Sequence, residues 1–145
     1  MRLSSMADYA VVTMCAAARH CGTLAAAGSR ISAADLAAET ALPLPTVQKL
    51  VTILSKAGLI KGQRGAGGGI QLARPAAAIT LADIIEAVEG PIALTACVDA
   101  GKQDCALEGT CNVRPHWPVV NDALRGALAQ VRLSDLARQK EVATA

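Results

Sequence analysis

The sequence predicts a mainly α-helical fold that carries a small β-wing, and three observations lead to this class. First, alanine and the aliphatic residues supply most of the apolar surface, because the 145 residues include one Trp, one Tyr and no Phe. Such a composition favours helices. Second, apolar residues recur every three or four positions after capping-box sequences. Third, two short apolar runs flank a glycine-rich tip, which is typical of a β-hairpin.

The first helix is predicted over residues 5–20. It opens with Ser5-Met6-Ala7-Asp8, which has the form of a capping box that pairs Ser5 with Asp8. One apolar face is expected to consist of Leu3, Ala10, Val11, Met14 and Ala18. Glycines at 22 and 28 mark the loop that follows.

Two further helices are predicted with a tight turn between them. Ser32-Ala33-Ala34-Asp35 is a second capping box, and the short helix that it opens ends near Glu39. After the turn at residues 40–44, Pro45 fits the first turn of the next helix and Gly58 fits its end. The buried stripe of that helix is expected to be Val47, Leu50, Val51 and Leu54. Two helices joined in this way are typical of a helix-turn-helix.

Residues 59–73 predict a wing directly after the helix-turn-helix. Residues 59–64 and 70–72 are the two predicted strands, and the tip between them reads Gly65-Ala66-Gly67-Gly68-Gly69. The tip lacks the Lys-Ser/Thr pair of a phosphate-binding loop, so we do not expect it to bind a nucleotide. We therefore expect a winged helix-turn-helix over residues 1–90.

The C-terminal half begins with a third capping box, Thr80-Leu81-Ala82-Asp83, and its helix ends at Gly90. That helix is expected to pack on the winged module through Leu81, Ile84, Ile85 and Val88. Residues 91–118 lose periodicity and are expected to form an irregular loop. Helical spacing returns over residues 119–145, at Val120, Leu124, Ala127 or Leu128, and Val131. We expect a long C-terminal dimerisation helix, because an alanine-rich chain buries little apolar area alone.

The charge is divided unevenly along the chain. Residues 1–75 carry eight Lys and Arg against three Asp and Glu, whereas residues 76–145 carry six against nine. A cationic first half suits contact with phosphates, and a mildly acidic second half suits regulation. The apolar stretch from Tyr9 to Ala18 only loosely imitates a signal peptide, and no apolar run approaches the ~20 residues that span a bilayer. We expect a cytoplasmic protein without a membrane partner.

Candidate DNA-binding residues lie on the second helix of the helix-turn-helix and on the wing. The first turn of a recognition helix meets base edges, which points to Thr46, Gln48 and Lys49. Glutamine can pair with adenine, and lysine can reach guanine or phosphate. The cations Lys56, Lys61 and Arg64 complete the candidate interface, and Arg64 stands where a wing enters a narrow minor groove. We find no hydrolytic triad or paired catalytic carboxylates and do not expect an enzyme.

Three of the five cysteines lie in the irregular segment. Cys97, Cys105 and Cys111 are spaced C-x7-C-x5-C, whereas Cys15 and Cys21 fall in the predicted first helix region and are expected to be structural. Thiolates favour soft metals, so the segment could hold iron-sulfur iron or zinc, and either requires a fourth ligand. An internal disulfide with one spare thiol is the third interpretation. The spacing matches no ferredoxin or zinc-ribbon pattern.

These residues together resemble the IscR-like family of bacterial winged-helix regulators over nearly the whole chain. The resemblance rests on the opening Met-Arg-Leu-Ser-Ser with Asp8-Tyr9-Ala10, the stretch Leu42 to Leu50, the wing Arg64 to Gly69, the segment Ile79 to Gly90, and the cysteines followed by Trp117. Residues 87–95, followed by Cys97, are most similar to regulators of SUF-type iron-sulfur cluster assembly genes. The resemblance implies a homodimer that binds double-stranded operator DNA. It also implies a [2Fe-2S] or [4Fe-4S] cluster held by Cys97, Cys105 and Cys111, which senses cluster status, iron, nitric oxide or redox state.

The fourth ligand departs from the family pattern. The IscR branch has a histidine three residues after the last cysteine, where this chain has Arg114, while His116 lies two residues further on. Relatives that sense nitric oxide use an acidic residue near the start of the first helix of the partner subunit, and Asp8 matches that position. We therefore expect Asp8 of the partner subunit as the fourth ligand, with His116 as the alternative. A zinc-stabilised, or a redox- or nitric-oxide-responsive, winged-helix repressor is the alternative function.

Overall fold

The computed structural model describes residues 1–21, 29–63, 65, 68–101 and 104–138. Within these residues the helices are α1 (Ser5–Cys21), α2 (Ala33–Thr40), α3 (Leu44–Lys56), α4 (Leu81–Glu89), α5 (Trp117–Gln130) and α6 (Leu133–Leu136). The strands are β1 (Ile60–Gln63) and β2 (Gly69–Leu72), which pair antiparallel. The predicted fold class, mainly helical with a small β-wing, is confirmed.

The core is built around α1, which contacts α2, α3, α4, α6 and β2. Alanines on several sides of α1 are buried, and a helix that is apolar on most sides belongs in a core. The small side chains leave room for the larger ones of the surrounding elements. The fully buried residues of those elements include Leu36, Leu50, Leu54, Ile84 and Leu133, which pack with Met14 of α1 in one core. The predicted packing of α4 on the winged module is therefore confirmed.

Helix α1 begins at the predicted residue, Ser5, but its cap differs from the prediction by one residue. The backbone N–H of Ala7 donates to the Ser4 hydroxyl oxygen at 3.1 Å, so Ser4 is the N-cap and the capping box at Ser5–Asp8 is wrong. Either serine could cap, but the register that buries Ala7 and other core alanines puts Ser4 at the cap position. Leu3 consequently precedes the helix and is 50% exposed rather than part of the core face.

The helix-turn-helix follows the prediction closely. Ser32 caps α2 by accepting the Asp35 N–H at 3.0 Å, and its hydroxyl donates to the Asp35 carboxylate at 2.8 Å. The turn uses Ala41 with φ 57°, a left-handed conformation that is costly for a residue with a Cβ. Gly58, with φ 76°, terminates α3 as expected. The predicted stripe of α3 faces the core, with Val47, Leu50 and Leu54 buried and Val51 half-buried.

The wing contains a third short strand segment that was not predicted. Ile31 and Ile70 exchange backbone hydrogen bonds of 3.0 and 2.7 Å, so the segment before α2 pairs with β2. A Cβ on Gly69 would lie 3.1 Å from the Arg30 Cβ and 3.2 Å from the Ile31 oxygen. Glycine at 69 therefore allows this close approach. A single paired residue leaves no alternating pattern, which is why sequence periodicity does not reveal it.

In the C-terminal half, the third capping box is confirmed and the last long helix is shorter than predicted. Thr80 N–H donates to Asp83 Oδ2 at 2.9 Å, and Asp83 N–H donates to Thr80 Oγ1 at 3.2 Å. The described residues of the segment, 92–101 and 104–116, are irregular apart from two single 3-10 turns. Helix α5 begins two residues before the predicted start, because Pro118 fits a first helical turn.

Helix α5 ends at Gln130, whereas the prediction placed Val131 on it. Val131 is extended, and its carbonyl accepts the Leu81 N–H at 2.8 Å. The chain then turns back so that Leu133 of α6 is buried in the winged module. Residues 139–145 lie outside the described residues. In the described part, no helix is long and apolar enough to cross a membrane.

Candidate nucleic-acid interface and metal centre

Helix α3 presents its polar side chains away from the core. Because its apolar stripe is buried against α1 and α4, Gln48 and Lys49 are exposed, as is Lys56 at its C-terminal end, while Thr46 is half-buried. Among the described residues, neither Lys49 nor Lys56 forms an ion pair, so their charges are free to meet phosphate or bases. The first turn of α3 thus has the side chains that a recognition helix needs.

The base of the wing adds a groove of about 270 Å³ beside β1 and β2. Exposed Lys61 lines it, together with Arg30, Gln63 and Gln71. Arg30 was missed by the sequence analysis, because it reaches the wing only through the unforeseen pairing of Ile31. The predicted Arg64 lies outside the described residues.

A cluster of polar contacts joins α2, the first helix of the helix-turn-helix, to α1. Arg19 Nη2 lies 2.9 Å from Glu39 Oε1, and His20 Nε2 contacts Glu39 Oε2. Burial acts to raise the pKa of Glu39, but the hydrogen bonds from Arg19 and His20 outweigh it and hold the pKa below its ordinary value. The carboxylate is therefore charged near neutral pH and connects the side chains of Arg19 and His20 to the end of α2.

The three loop cysteines line one cavity of about 200 Å³. Its wall is largely apolar and includes Leu107 and Trp117, while Glu108 and Arg114 supply the charged groups. The remaining lining residues are Thr95, Ala96, Cys97, Cys105 and Cys111. The structure therefore brings together the cysteines that the C-x7-C-x5-C spacing singled out.

Hydrogen bonds fix the loop around this cavity. Thr95 Oγ1 lies 3.0 Å from Cys97 Sγ, and the Glu108 N–H donates to the Cys105 carbonyl at 3.1 Å. Among the described residues, no three His, Cys, Asp or Glu side chains are set to hold a single metal ion. Three soft thiols behind an apolar wall are nevertheless the donor set that cluster iron prefers, so these residues fit an iron-sulfur cluster.

The two candidates for a fourth ligand lie outside this cavity. His116 is exposed at the start of α5 and does not line the cavity, whereas Arg114 does. Asp8 of the same chain does not line the cavity either. Its exposed carboxylate makes no hydrogen bond or ion pair within the described part. An Asp8 ligand would have to come from a second subunit.

Cys15 and Cys21 belong to the core rather than to the site. Both are half-buried and pack against the core, and the Cys21 thiol donates to the Ile70 carbonyl at 3.3 Å. Burial raises the pKa of each thiol, which keeps both protonated near neutral pH. The prediction that they are structural is consistent with this environment.

Comparison with known proteins gives one consistent result. The profile of the Rrf2 family, described as iron-dependent transcriptional regulators, matches residues 3–139. The HTH-type transcriptional regulator IscR of Escherichia coli O1:K1 / APEC is 31% identical over 98% of this chain and 83% of its own length.

Solved structures agree with that match. CymR, the global cysteine regulator of B. subtilis, superposes with a TM-score of 0.70 at 30% identity, over 94% of this chain and 96% of its own. IscR of T. potens gives a TM-score of 0.68 at 27% identity, over 100% of this chain and 94% of its own. All three relatives are regulators and none is named as an enzyme.

Proposed function

The chain belongs to the Rrf2 family of iron-dependent transcriptional regulators, and we propose that it is a homodimer that senses iron-sulfur cluster status and controls iron-sulfur cluster assembly genes. The observation that carries this proposal is the single cavity lined by Cys97, Cys105 and Cys111. A cluster bound there would report the supply of iron and sulfide by its presence or absence. The IscR relatives support the proposal by their similarity over nearly the whole chain.

The DNA-reading part of the proposal rests on α3 and the wing. Thr46 and Gln48 meet base edges in the major groove, and Lys49, Lys56 and Lys61 contact phosphates. Arg64 enters the adjacent minor groove from the wing tip. The exposure and unpaired charges of the α3 lysines support these roles.

The homodimer is proposed from apolar side chains that one subunit leaves exposed. On α5, Val119 is 72% exposed and Val120 is also exposed, while on α1 Tyr9 and Val12 are exposed beside Asp8. Burying such surfaces against a second copy removes apolar area from water. In this arrangement Asp8 of the partner subunit would be the fourth ligand of a cluster held by the three thiolates. In this proposal residues 1–90 bind DNA, the segment between α4 and α5 holds the cluster and α5 joins the subunits.

We propose that cluster binding is coupled to DNA binding because the cysteine segment lies between α4 and α5. Ligation by all three cysteines would hold the segment between α4 and α5 in one conformation, and that conformation would fix how the two winged modules are spaced. Two half-sites in successive major grooves require a fixed spacing, so loss of the cluster changes operator affinity.

Metal analysis of anaerobically purified protein tests the cofactor. We expect coloured protein that contains iron and acid-labile sulfide, and loss of both after combined Cys97→Ser, Cys105→Ser and Cys111→Ser substitution. The matched control is Cys15→Ala with Cys21→Ala, which leaves the cavity intact and keeps the cluster. Colourless protein that contains zinc would favour the zinc-stabilised repressor instead.

A further inference from the structure

We propose that Arg114 is a positioning residue for the cluster: it clamps Glu108 across the cysteine loop and places a positive charge in the cavity wall. This inference rests on the proposed function, because it concerns the cluster held by the three loop cysteines. It assigns a role to a residue that binds neither DNA nor metal. The geometry of one ion pair and the lining of one cavity carry it.

The clamp has two contacts to the same residue. Arg114 Nη2 lies 3.0 Å from Glu108 Oε1, and Arg114 Nη1 donates to the Glu108 backbone carbonyl at 3.3 Å. Glu108 lies between Cys105 and Cys111, whereas Arg114 lies in the 3-10 turn that leads into α5. The pair therefore fixes the segment between the second and third cysteines relative to the dimerisation helix.

The charge of the clamp faces the same cavity as the thiols. Arg114 and Glu108 both line it with Cys97, Cys105 and Cys111. Three thiolates bring negative charge into a mostly apolar cavity, and a guanidinium in the wall offsets part of it. Glu108 partly neutralises that guanidinium. The two side chains therefore have opposite effects on the electrostatic potential at the cluster.

This opposition gives a test that separates an electrostatic clamp from a merely structural contact. The cluster is formed anaerobically in the full-length protein and in Arg114→Gln, Glu108→Gln and the double variant. Retention of iron and sulfide is measured against a chelator. The midpoint potential is measured for one-electron reduction with dithionite as the electron donor. Both side chains are partly exposed, at 45% for Arg114 and 40% for Glu108, so the variants should fold, and thermal unfolding checks this.

We expect Arg114→Gln and Glu108→Gln each to hold the cluster about 10- to 100-fold less tightly, because each releases the loop. The midpoint potential should become more negative in Arg114→Gln and more positive in Glu108→Gln, and should return towards the wild-type value in the double variant. Arg74→Gln is the matched control. It breaks another pair between an arginine and a carboxylate, with Asp83, neither of which lines the cavity, and should change neither quantity.

Unchanged retention and potential in both single variants would overturn the clamp, as would shifts of the potential in the same direction. Loss of the cluster in Glu108→Gln alone would also overturn it, because Glu108 would then be a ligand. A wild-type protein that binds no iron and sulfide would contradict the proposed function itself, and the clamp with it. The two failures are therefore distinguishable.

Discussion

Asp8 lies in the first turn of α1, but its carboxylate does not cap that helix. Its carboxylate could have been committed to capping α1, but Ser4 occupies the N-cap and Asp8 has no partner in the described part of the chain. An exposed, unpaired acid beside exposed Tyr9 and Val12 is available to a second subunit. The structure thus removes the main competing role of Asp8.

Replacement of Asp8 tests the cross-subunit ligand. We expect Asp8→Ala to lower the iron and sulfide retained after anaerobic purification, because the cluster loses its fourth ligand. Stability of the apo protein should fall by no more than about 1 kcal/mol, the contribution of an acid in the first turn of a helix. His116→Ala is the matched variant and should retain the cluster. Cluster content unchanged in Asp8→Ala, or lost only in His116→Ala, would show that the ligand is not Asp8.

At the scale of the element, α3 is the helix that we propose to make the contacts that distinguish sequence-specific from general DNA binding. Its stripe anchors it in the core, so exposed substitutions at Gln48 and Lys49 should leave the fold intact. The two side chains can be told apart because a base contact carries specificity, whereas a phosphate contact carries salt dependence.

We expect Lys49→Gln to weaken operator binding and to reduce the slope of log affinity against log salt by about one per subunit. Gln48→Ala should instead cost about 1–3 kcal/mol of discrimination at one base pair and leave the salt slope unchanged. Fluorescence anisotropy with a palindromic fragment at several salt concentrations measures both. Arg132→Gln, an exposed cation in the C-terminal half, is the control. Equal salt slopes for wild type and Lys49→Gln would exclude a phosphate contact.

The junction of α4 with α5 depends on an ion pair that titrates in acid. Arg125 donates to both Glu86 carboxylate oxygens, at 2.7 and 3.1 Å. The hydrogen bond from Arg125 is the largest cause that holds the pKa of Glu86 below its ordinary value of 4.5. A carboxyl with a lowered folded pKa contributes stability above its unfolded pKa, and that contribution is lost as pH falls through the folded pKa.

We therefore expect the wild-type free energy of unfolding to decrease below pH 4.5 in part through Glu86. Glu86→Gln should be less stable than wild type at neutral pH and should lose less stability on acidification. Urea unfolding of the apo protein at a series of pH values measures the difference, with Asp135→Asn as the control. A constant difference between wild type and Glu86→Gln at all pH values would mean that the pair does not contribute.

The elements show which features a sequence can reveal. Helix α3 was predicted with its stripe and its glycine stop, because periodicity and capping are local properties. The end of α5 was not, because Val131 leaves the helix to bond the backbone of Leu81, a contact 50 residues away in the chain. The pairing of Ile31 with β2 is likewise non-local. The N-cap of α1 was also ambiguous, because Ser4 and Ser5 are adjacent. Only the burial of the core alanines shows that Ser4 is the cap.

At the scale of the whole molecule, two kinds of site occupy opposite halves of the chain. The N-terminal half holds the basic helix-turn-helix and wing, and the C-terminal half holds the cysteine cavity and the exposed face of α5. The cysteines could be singled out from the sequence because thiols in an irregular segment have no packing role. Glu108 and Arg114 could not, because only the folded loop brings them to the same cavity.

The most direct test compares operator binding by the anaerobic holo protein with binding by its apo form, under identical salt and protein concentrations. We expect the two affinities to differ by about 5- to 150-fold, the usual range of coupling between two sites, and the protein without Cys97, Cys105 and Cys111 to behave like the apo form. Equal affinities for holo and apo protein would contradict the account.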